Sequence, residues 1–265
     1  MLSEFLTFTF FLLIGMEIRE GLAKPKEAIL PTLCALGGMA IPAIIFRALL
    51  PASTAWAVAM PTDVALAIGA LSLLGKKVNP AVRLFLLTLA IADDFFSLVV
   101  IAIFFRQDLH LASAIYTLGA AGIGFLLPSR AKLIKILAPV ATFAIIPLYI
   151  YINLLTKLDF SVATEKMSLV LVIARVLGKV IGISLAALVI TRFTRVKLPH
   201  NLEIKEVIGI GFLAGMGLTV SLVIAKITVK AGQEISQVRM GLLIAALISG
   251  ALGLLWLKRF PAYLD

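Results

Sequence analysis

Long apolar stretches, each ended by charged residues, Pro or Gly, run through the whole sequence. Most have close to the ~20 apolar residues that a transmembrane helix needs, and none shows the sustained period-two alternation of a membrane β-barrel strand. The pattern predicts an all-α membrane protein, a multi-span helical bundle. Nine spans are predicted, at residues 2–18, 31–50, 55–74, 84–105, 111–127, 134–155, 167–190, 207–227 and 239–257.

Composition excludes a water-soluble domain. Hydrophobic residues make up 62% of the chain and charged residues 14%, with a mean hydropathy of +1.11. A soluble domain is about 45–50% apolar and about 25% charged. The one cysteine, Cys34, excludes a disulfide framework and a CxxC metal site.

The net charge of +10 is best explained by membrane topology, because Lys and Arg accumulate in cytoplasmic loops. If the N-terminus lies outside the cell, fifteen of the 24 Lys and Arg residues fall in cytoplasmic loops and seven fall outside. We therefore expect an external N-terminus and a cytoplasmic C-terminus.

Five ionisable residues fall deep inside predicted spans, away from the span ends: Asp63, Asp93, Asp94, Arg175 and Lys179. Each charge at that depth costs about 2.5–3.5 kcal/mol on insertion scales, so such residues usually face a polar interior and mark an ion or substrate path. The alternative is structural, with a buried Asp–Lys pair that only locks helices together. Three aspartates and a lysine in one small chain favour the ion path.

Two spans carry signals of an interruption. Pro61 removes a backbone donor in the middle of one span, beside Thr62 and Asp63, although a simple proline kink would also fit. Four glycines in residues 209–217 either allow close helix packing or interrupt a second span. Free helix ends at a break bind ions if the break lines a cavity, and their N-termini stabilise a carboxylate such as Asp63.

The two candidate interruptions hold matching positions, each in the middle of three spans. This arrangement predicts inverted-topology repeats with two interrupted helices and a site near the midplane. We expect a first three-helix repeat at residues 31–105, reduced linker and scaffold spans at 106–166, and a second repeat at 167–258.

Asp93 and Asp94 are neighbours about 100° apart around a helix, so their side chains point in different directions. Two close carboxylates in a low dielectric do not both ionise easily, which suits a proton carrier. Carboxylate oxygens also suit a hard cation such as Na⁺, so Na⁺ and H⁺ would compete for one site. Lys179 would neutralise a carboxylate after the cation has left. Arg175, one turn earlier on the same face, would have a structural role or extend outward.

Five segments resemble, in chain order, the NhaA family of bacterial Na⁺/H⁺ antiporters, whose interrupted helices are a known property of that family. They are residues 10–19 (FFLLIGMEIR), 61–65 (PTDVA), 89–94 (LAIADD), 177–184 (LGKVIGIS) and 211–221 (GFLAGMGLTVS). The resemblance implies that Asp94 and Asp93 form the ion-binding pair. It also implies that Thr62 and Asp63 are the residues of the broken helix, where the carboxylate compensates the facing half-helix dipoles.

The same resemblance implies that Lys179 pairs with Asp93 and takes part in proton coupling, and that Glu17 contributes to the pH response near the cytoplasmic side. The implied activity is electrogenic exchange of Na⁺ or Li⁺ for a larger number of protons across the bacterial inner membrane. It serves pH and sodium homeostasis. The expected partners are the lipid bilayer and the transported ions, with no cofactor, no nucleic acid and no enzymatic reaction.

The chain is also shorter than the family pattern. Family members have about twelve spans, whereas nine are predicted here. Aligned by motif, the chain begins at the second family span and runs from the fifth directly into the eighth. An even number of lost spans preserves the orientation of the later ones. The missing N-terminal hairpin, which helps family members to dimerise, argues against a homodimer.

Two other functions compete with transport. The first is a non-transporting remnant of a family gene that lacks scaffold spans. The second is an intramembrane aspartyl protease that uses Asp63 and Asp93. Such a protease would be expected to show a GxGD-like motif, and neither aspartate has one, because the preceding residues are Pro-Thr and Ile-Ala.

Overall fold

The computed structural model describes residues 2–21, 25–75, 78–105, 119–126, 140, 144–199, 202–229 and 232–260. These residues form helices and their connections, without a strand. The α-helices are α1 (Leu2–Gly21), α2 (Pro25–Leu49), α3 (Val64–Ser72), α4 (Pro80–Phe104), α5 (Ala120–Leu126), α6 (Ile146–Asn153), α7 (Lys166–Phe193), α8 (Ile204–Ala214), α9 (Thr219–Thr228) and α10 (Gln233–Lys258). Short 3₁₀ helices cover Ala55–Ala59, Leu155–Lys157 and Phe160–Val162.

Long apolar helices confirm a multi-pass, all-α membrane protein. Within the described residues, five segments are long and apolar enough to cross a membrane, and a bent pair, α8 and α9, makes a sixth. The five are Ala28–Leu49, Ala55–Ser72, Pro80–Phe104, Lys166–Phe193 and Gln233–Lys258. The predicted span 2–18 corresponds to α1, which is not among these segments. Span 111–127 is described only at residues 119–126, and span 134–155 only at residues 140 and 144–155, so the count of nine stays a prediction.

Helix α7 packs against α2, α8 and α10, and so forms the centre of the described bundle. Its approach to α2 depends on glycine. A Cβ on Gly182 would lie only 2.8 Å from the carbonyl carbon of Gly37. Small residues of this kind let two helix backbones touch where the lipid supplies no hydrophobic drive for packing.

The span around Pro61 is interrupted, as the sequence predicts. The 3₁₀ helix Ala55–Ala59 gives way to a non-helical segment at residues 60–63, and α3 begins at Val64 with Asp63 as its N-cap. Pro61 supplies no N–H to continue the helical hydrogen bonds, so the backbone leaves the helix here.

The glycine-rich span is interrupted too. Helix α8 ends at Ala214, α9 begins at Thr219, and the two axes differ by 52°. A Cβ on Gly209 would overlap Leu257, and one on Gly211 would lie 2.9 Å from Cα of Val180. Both interpretations of the glycine run therefore hold, because its first part packs closely and its last part forms the break.

Each interrupted span lies between two long helices along the chain, α2 and α4 in one case and α7 and α10 in the other. This is the element order expected for residues 31–105 and 167–258. The inverted relation between the two sets, and the role of residues 106–166 as a reduced linker, remain predictions.

Candidate functional site

The deepest charged contact joins α4 to α7. Lys179 and Asp93 form an ion pair through Asp93 Oδ2, and both side chains are completely buried. Asp94, the next residue on α4, is also buried, with 3% of its surface exposed. Lys179 thus contacts Asp93 directly.

The hydroxyl group of Thr62 lies beside this ion pair. Thr62 Oγ1 accepts a hydrogen bond from Lys179 Nζ at 3.0 Å. It is also within hydrogen-bonding distance of Asp93 Oδ2 and, at 2.9 Å, of the carbonyl oxygen of Ala214. A hydroxyl has one proton to donate, so Thr62 donates to one of these two acceptors at a time. The side chain links the first break to α4, to α7 and to the end of α8.

Asp63 lies between the N-terminal ends of two half-helices. Its Oδ1 accepts from the backbone N–H of Leu66 at 3.3 Å, in the first turn of α3. Its Oδ2 accepts from the N–H of Thr219 at 3.3 Å and from the Thr219 hydroxyl at 2.8 Å, at the start of α9. One carboxylate therefore satisfies free N–H groups of both interrupted spans and faces the positive end of each helix dipole.

Arg175 is completely buried and points into the bundle, so the alternative that it extends outward is wrong. Its Nη1 donates to the carbonyl oxygen of Val58 at 2.7 Å and to Ser221 Oγ at 2.8 Å. Its Nη2 donates to the carbonyl oxygen of Pro61 at 2.6 Å, and its Nε donates to that of Gly215 at 3.3 Å. A guanidinium group can serve all of these acceptors because it carries five donors in one plane.

The oxygen atoms available to a cation come from several residue types. No group of three or more His, Cys, Asp and Glu side chains suited to a metal ion occurs within the described ranges. A Na⁺ site here would combine carboxylates with hydroxyl or backbone oxygens, as hard cations accept. Asp93 Oδ1 and Ser97 Oγ are buried and have no hydrogen-bond partner in the part of the chain that the structure describes.

The structure brings together Thr62, Asp93 and Lys179, with Asp94 adjacent on α4 and Asp63 adjacent in the break. The side chain of Glu17 lies outside the described residues, although its backbone is part of α1. Sequence reasoning did not single out Thr219, Ser221 and Ser97. A threonine after a glycine-rich segment is a sequence signal of a helix start, and in the structure Thr219 is the first helical residue, after the N-cap residue Leu218. Ser97 carries no comparable sequence signal.

Comparison with known proteins gives a consistent result. Residues 1–136 and 127–257 match the family model described as Na⁺/H⁺ antiporter 1. The chain is 30% identical to Na⁺/H⁺ antiporter NhaA 2 of Aliarcobacter butzleri, over 95% of this chain and 80% of that protein. It is 28% identical to Na⁺/H⁺ antiporter NhaA of Citrobacter koseri and of Salmonella typhimurium, in each case over 97% of this chain and 82% of the relative.

Proposed function

The chain belongs to the Na⁺/H⁺ antiporter 1 family, and we propose that it exchanges Na⁺ or Li⁺ for H⁺ at the site where its two interrupted spans meet. The observation that carries this proposal is the buried ion pair of Asp93 and Lys179 next to Asp94. Charged residues at membrane depth are costly, and in membrane proteins they commonly mark ion pathways and proton relays. The family is one of transporters rather than enzymes.

We assign the residues as follows. Asp94 and Asp93 supply carboxylate oxygens to Na⁺, with Thr62 and Asp63 in the adjacent break. Asp94, Asp93 and Lys179 couple the exchange to protons, and Glu17 contributes to the pH response. The exchange needs no cofactor, and the chain acts in the lipid bilayer.

Competition for oxygen atoms explains how such a site exchanges ions. A carboxyl group that holds a proton offers a poorer ligand to Na⁺, and bound Na⁺ disfavours protonation. Lys179 provides the positive charge that stabilises Asp93 when no cation occupies the site. When Lys179 releases Asp93, the carboxylate oxygens of Asp93 become available to Na⁺. Binding of Na⁺ is therefore linked to the charge state of Asp93, Asp94 and Lys179 together.

We place the protein in the bacterial inner membrane, with the N-terminus outside and the C-terminus in the cytoplasm. The distribution of Lys and Arg supports this orientation, because the cytoplasmic side of a bacterial membrane protein is the one richer in basic residues.

The aspartyl protease alternative fits the geometry poorly. A protease dyad needs two carboxyl groups that share a proton. Asp63 is engaged with Leu66 and Thr219, whereas Asp93 is engaged with Lys179 and Thr62. The two carboxylates thus hold separate partners.

The proposal is tested in everted membrane vesicles that contain this protein and maintain a pH gradient. Addition of Na⁺ or Li⁺ is expected to dissipate the gradient, whereas choline is not. Asp94→Asn is expected to abolish the response. Asp159→Asn changes an exposed carboxylate outside the membrane-spanning helices and is expected to behave as the wild type. Absence of any response from well-inserted wild-type protein would instead support the non-transporting remnant.

A further inference from the structure

We propose that Arg175 is a positioning residue for ion exchange. It holds and neutralises the carbonyl ends of both interrupted spans, and this leaves Lys179 to bind Asp93. The inference rests on the proposed exchange function, and it concerns a residue to which neither the motifs nor the family comparison assigns a role.

Arg175 collects backbone carbonyl groups from both breaks. Val58 and Pro61 belong to the first interrupted span, and their carbonyl oxygens lie 2.7 and 2.6 Å from the guanidinium nitrogens. Gly215 follows α8 in the second span, and its carbonyl oxygen lies 3.3 Å from Nε. The last carbonyls of a helix have no partner within the helix and carry its negative dipole end. One buried cation therefore compensates both carbonyl ends.

Asp63 has the complementary position at the N–H ends of α3 and α9. The negative charge of Asp63 thus faces the N–H ends of the helices, and the positive charge of Arg175 faces their carbonyl ends. Lys179 makes its two described hydrogen bonds to Thr62 Oγ1 and Asp93 Oδ2. Its charge is directed at the carboxylate rather than at the helix ends.

Gly217 provides the space that this arrangement needs. A Cβ at this position would overlap Nη2 of Arg175 and the carbonyl oxygen of Pro61. A methyl group here would push the guanidinium away from the first break without changing any charge. Gly217→Ala is therefore a second way to disturb the same contact.

Lys179 lies one turn after Arg175 on the same face of α7. Without Arg175, the uncompensated carbonyl ends attract the nearest buried cation, and among the described buried residues that cation is Lys179. Lys179 would then divide its charge between these carbonyls and Asp93. The site would lose both the fixed geometry of the breaks and the exclusive pairing of Lys179 with Asp93.

The experiment measures the Kd for Na⁺ by calorimetry on purified protein at one fixed pH. Arg175→Ala is expected to raise the Kd about ten-fold or more, because the breaks then lose the fixed geometry that holds Thr62 and Asp63 beside Asp93, and this loss outweighs the weaker competition of Lys179 for Asp93; a ten-fold change corresponds to about 1.4 kcal/mol. Gly217→Ala is expected to raise it in the same direction. Arg175→Lys keeps the charge but lacks the planar fork, so its Kd should lie between those of the wild type and Arg175→Ala.

Two variants serve as matched controls. Arg192→Ala removes an exposed arginine from the same helix, and Gly69→Ala adds a methyl group where no atom lies within 4 Å. Both should bind Na⁺ as the wild type does. Equal Kd values for wild type, Arg175→Lys and Gly217→Ala would overturn the inference. This test remains valid if the Arg175→Ala variant does not accumulate in the membrane.

A double-mutant cycle separates positioning from a merely structural role. Lys179→Ala should change the Kd by a different factor in the Gly217→Ala background than in the wild type, by about three-fold or more, as expected for coupled neighbours. A smaller difference means that Arg175 does not direct Lys179, and the inference fails. Failure of wild-type protein to bind and exchange Na⁺ would refute the proposed function itself, whereas an active wild type with an additive cycle refutes only the role of Arg175.

Discussion

Lys179 and Asp93 form a buried ion pair that connects the middle of α7 to the middle of α4. Neither side chain is exposed, so bulk solvent does not contact either charge directly. Replacing a buried pair with apolar residues is often neutral for stability, whereas removing one partner is strongly destabilising. The pair is therefore explained better by ion exchange than by helix locking. Replacing one member should destabilise the protein more than replacing both members together.

Lys179→Ala should destabilise the protein and change its apparent affinity for Na⁺, because it leaves Asp93 buried without its cation. Removal of one partner from a buried pair costs about 3–5 kcal/mol. The double variant Lys179→Ala/Asp93→Asn removes both charges and should recover most of the lost stability. Thermal unfolding in detergent measures the stability lost in Lys179→Ala and the stability recovered in the double variant. Unfolding of Lys179→Ala at the wild-type temperature, together with an unchanged pH dependence and electrogenicity of exchange, would contradict the assigned role.

Thr62→Val should weaken Na⁺ binding while the fold is kept, because valine has nearly the shape of threonine but no hydroxyl group. The hydroxyl oxygen that lies beside Asp93 Oδ2 is then no longer available to Na⁺. Loss of one polar contact to a charged group, about 1.5 kcal/mol, corresponds to roughly a ten-fold weaker affinity. Thr62→Ser keeps the hydroxyl and should restore most of the affinity in transport assays. Equal losses in Val and Ser variants would show that the methyl group, not the hydroxyl, matters.

Asp63→Ala should lower the free energy of unfolding more than Asp63→Asn does. Asparagine keeps an acceptor oxygen for the N–H groups of Leu66 and Thr219, whereas alanine leaves both helix starts without a side-chain acceptor. Loss of an N-cap acceptor costs about 0.5–2 kcal/mol per helix. As a control, Asp159→Asn alters an exposed aspartate that caps the short 3₁₀ helix at Phe160–Val162. A control shift as large as that of Asp63→Ala would show that the effect is not specific to the breaks.

The interruptions could be predicted from sequence because each arises from residue types that favour a break in a helix. Pro61 lacks a backbone donor, and the run of glycines at residues 209–217 tolerates an irregular backbone. The grouping of Asp63, Asp93 and Lys179 could be predicted as well, because isolated charges in a bilayer are too costly to lie apart. Family resemblance then indicated which carboxylate Lys179 would contact.

The contacts of Arg175 could not be predicted in the same way. Three of its acceptors are backbone carbonyl oxygens, which every residue has and which leave no pattern in the sequence. Their convergence depends on how the two breaks are placed in three dimensions. The link from Thr62 to the carbonyl oxygen of Ala214 is not predictable from the sequence for the same reason.

Gly182→Ala should destabilise the bundle and weaken Na⁺ binding together, because Gly182 lies close to Lys179 along α7 at the contact with α2. A Cβ at this position would lie 2.8 Å from the carbonyl carbon of Gly37 and 3.2 Å from Cα of Gly38. Carbon atoms prefer a separation of about 3.5–4.0 Å, and overpacking of this kind typically costs about 1–3 kcal/mol. The two helices must move apart, and Lys179 moves with α7 relative to Asp93 on α4.

Gly69→Ala is the matched control, since it adds the same methyl group in open space on α3 and should leave both properties unchanged or slightly raise stability. Thermal unfolding and the Kd for Na⁺ are measured on the same preparations. A Gly182→Ala protein that unfolds at a lower temperature but binds Na⁺ as the wild type does would show that the packing of α2 on α7 supports the fold without positioning the ion pair.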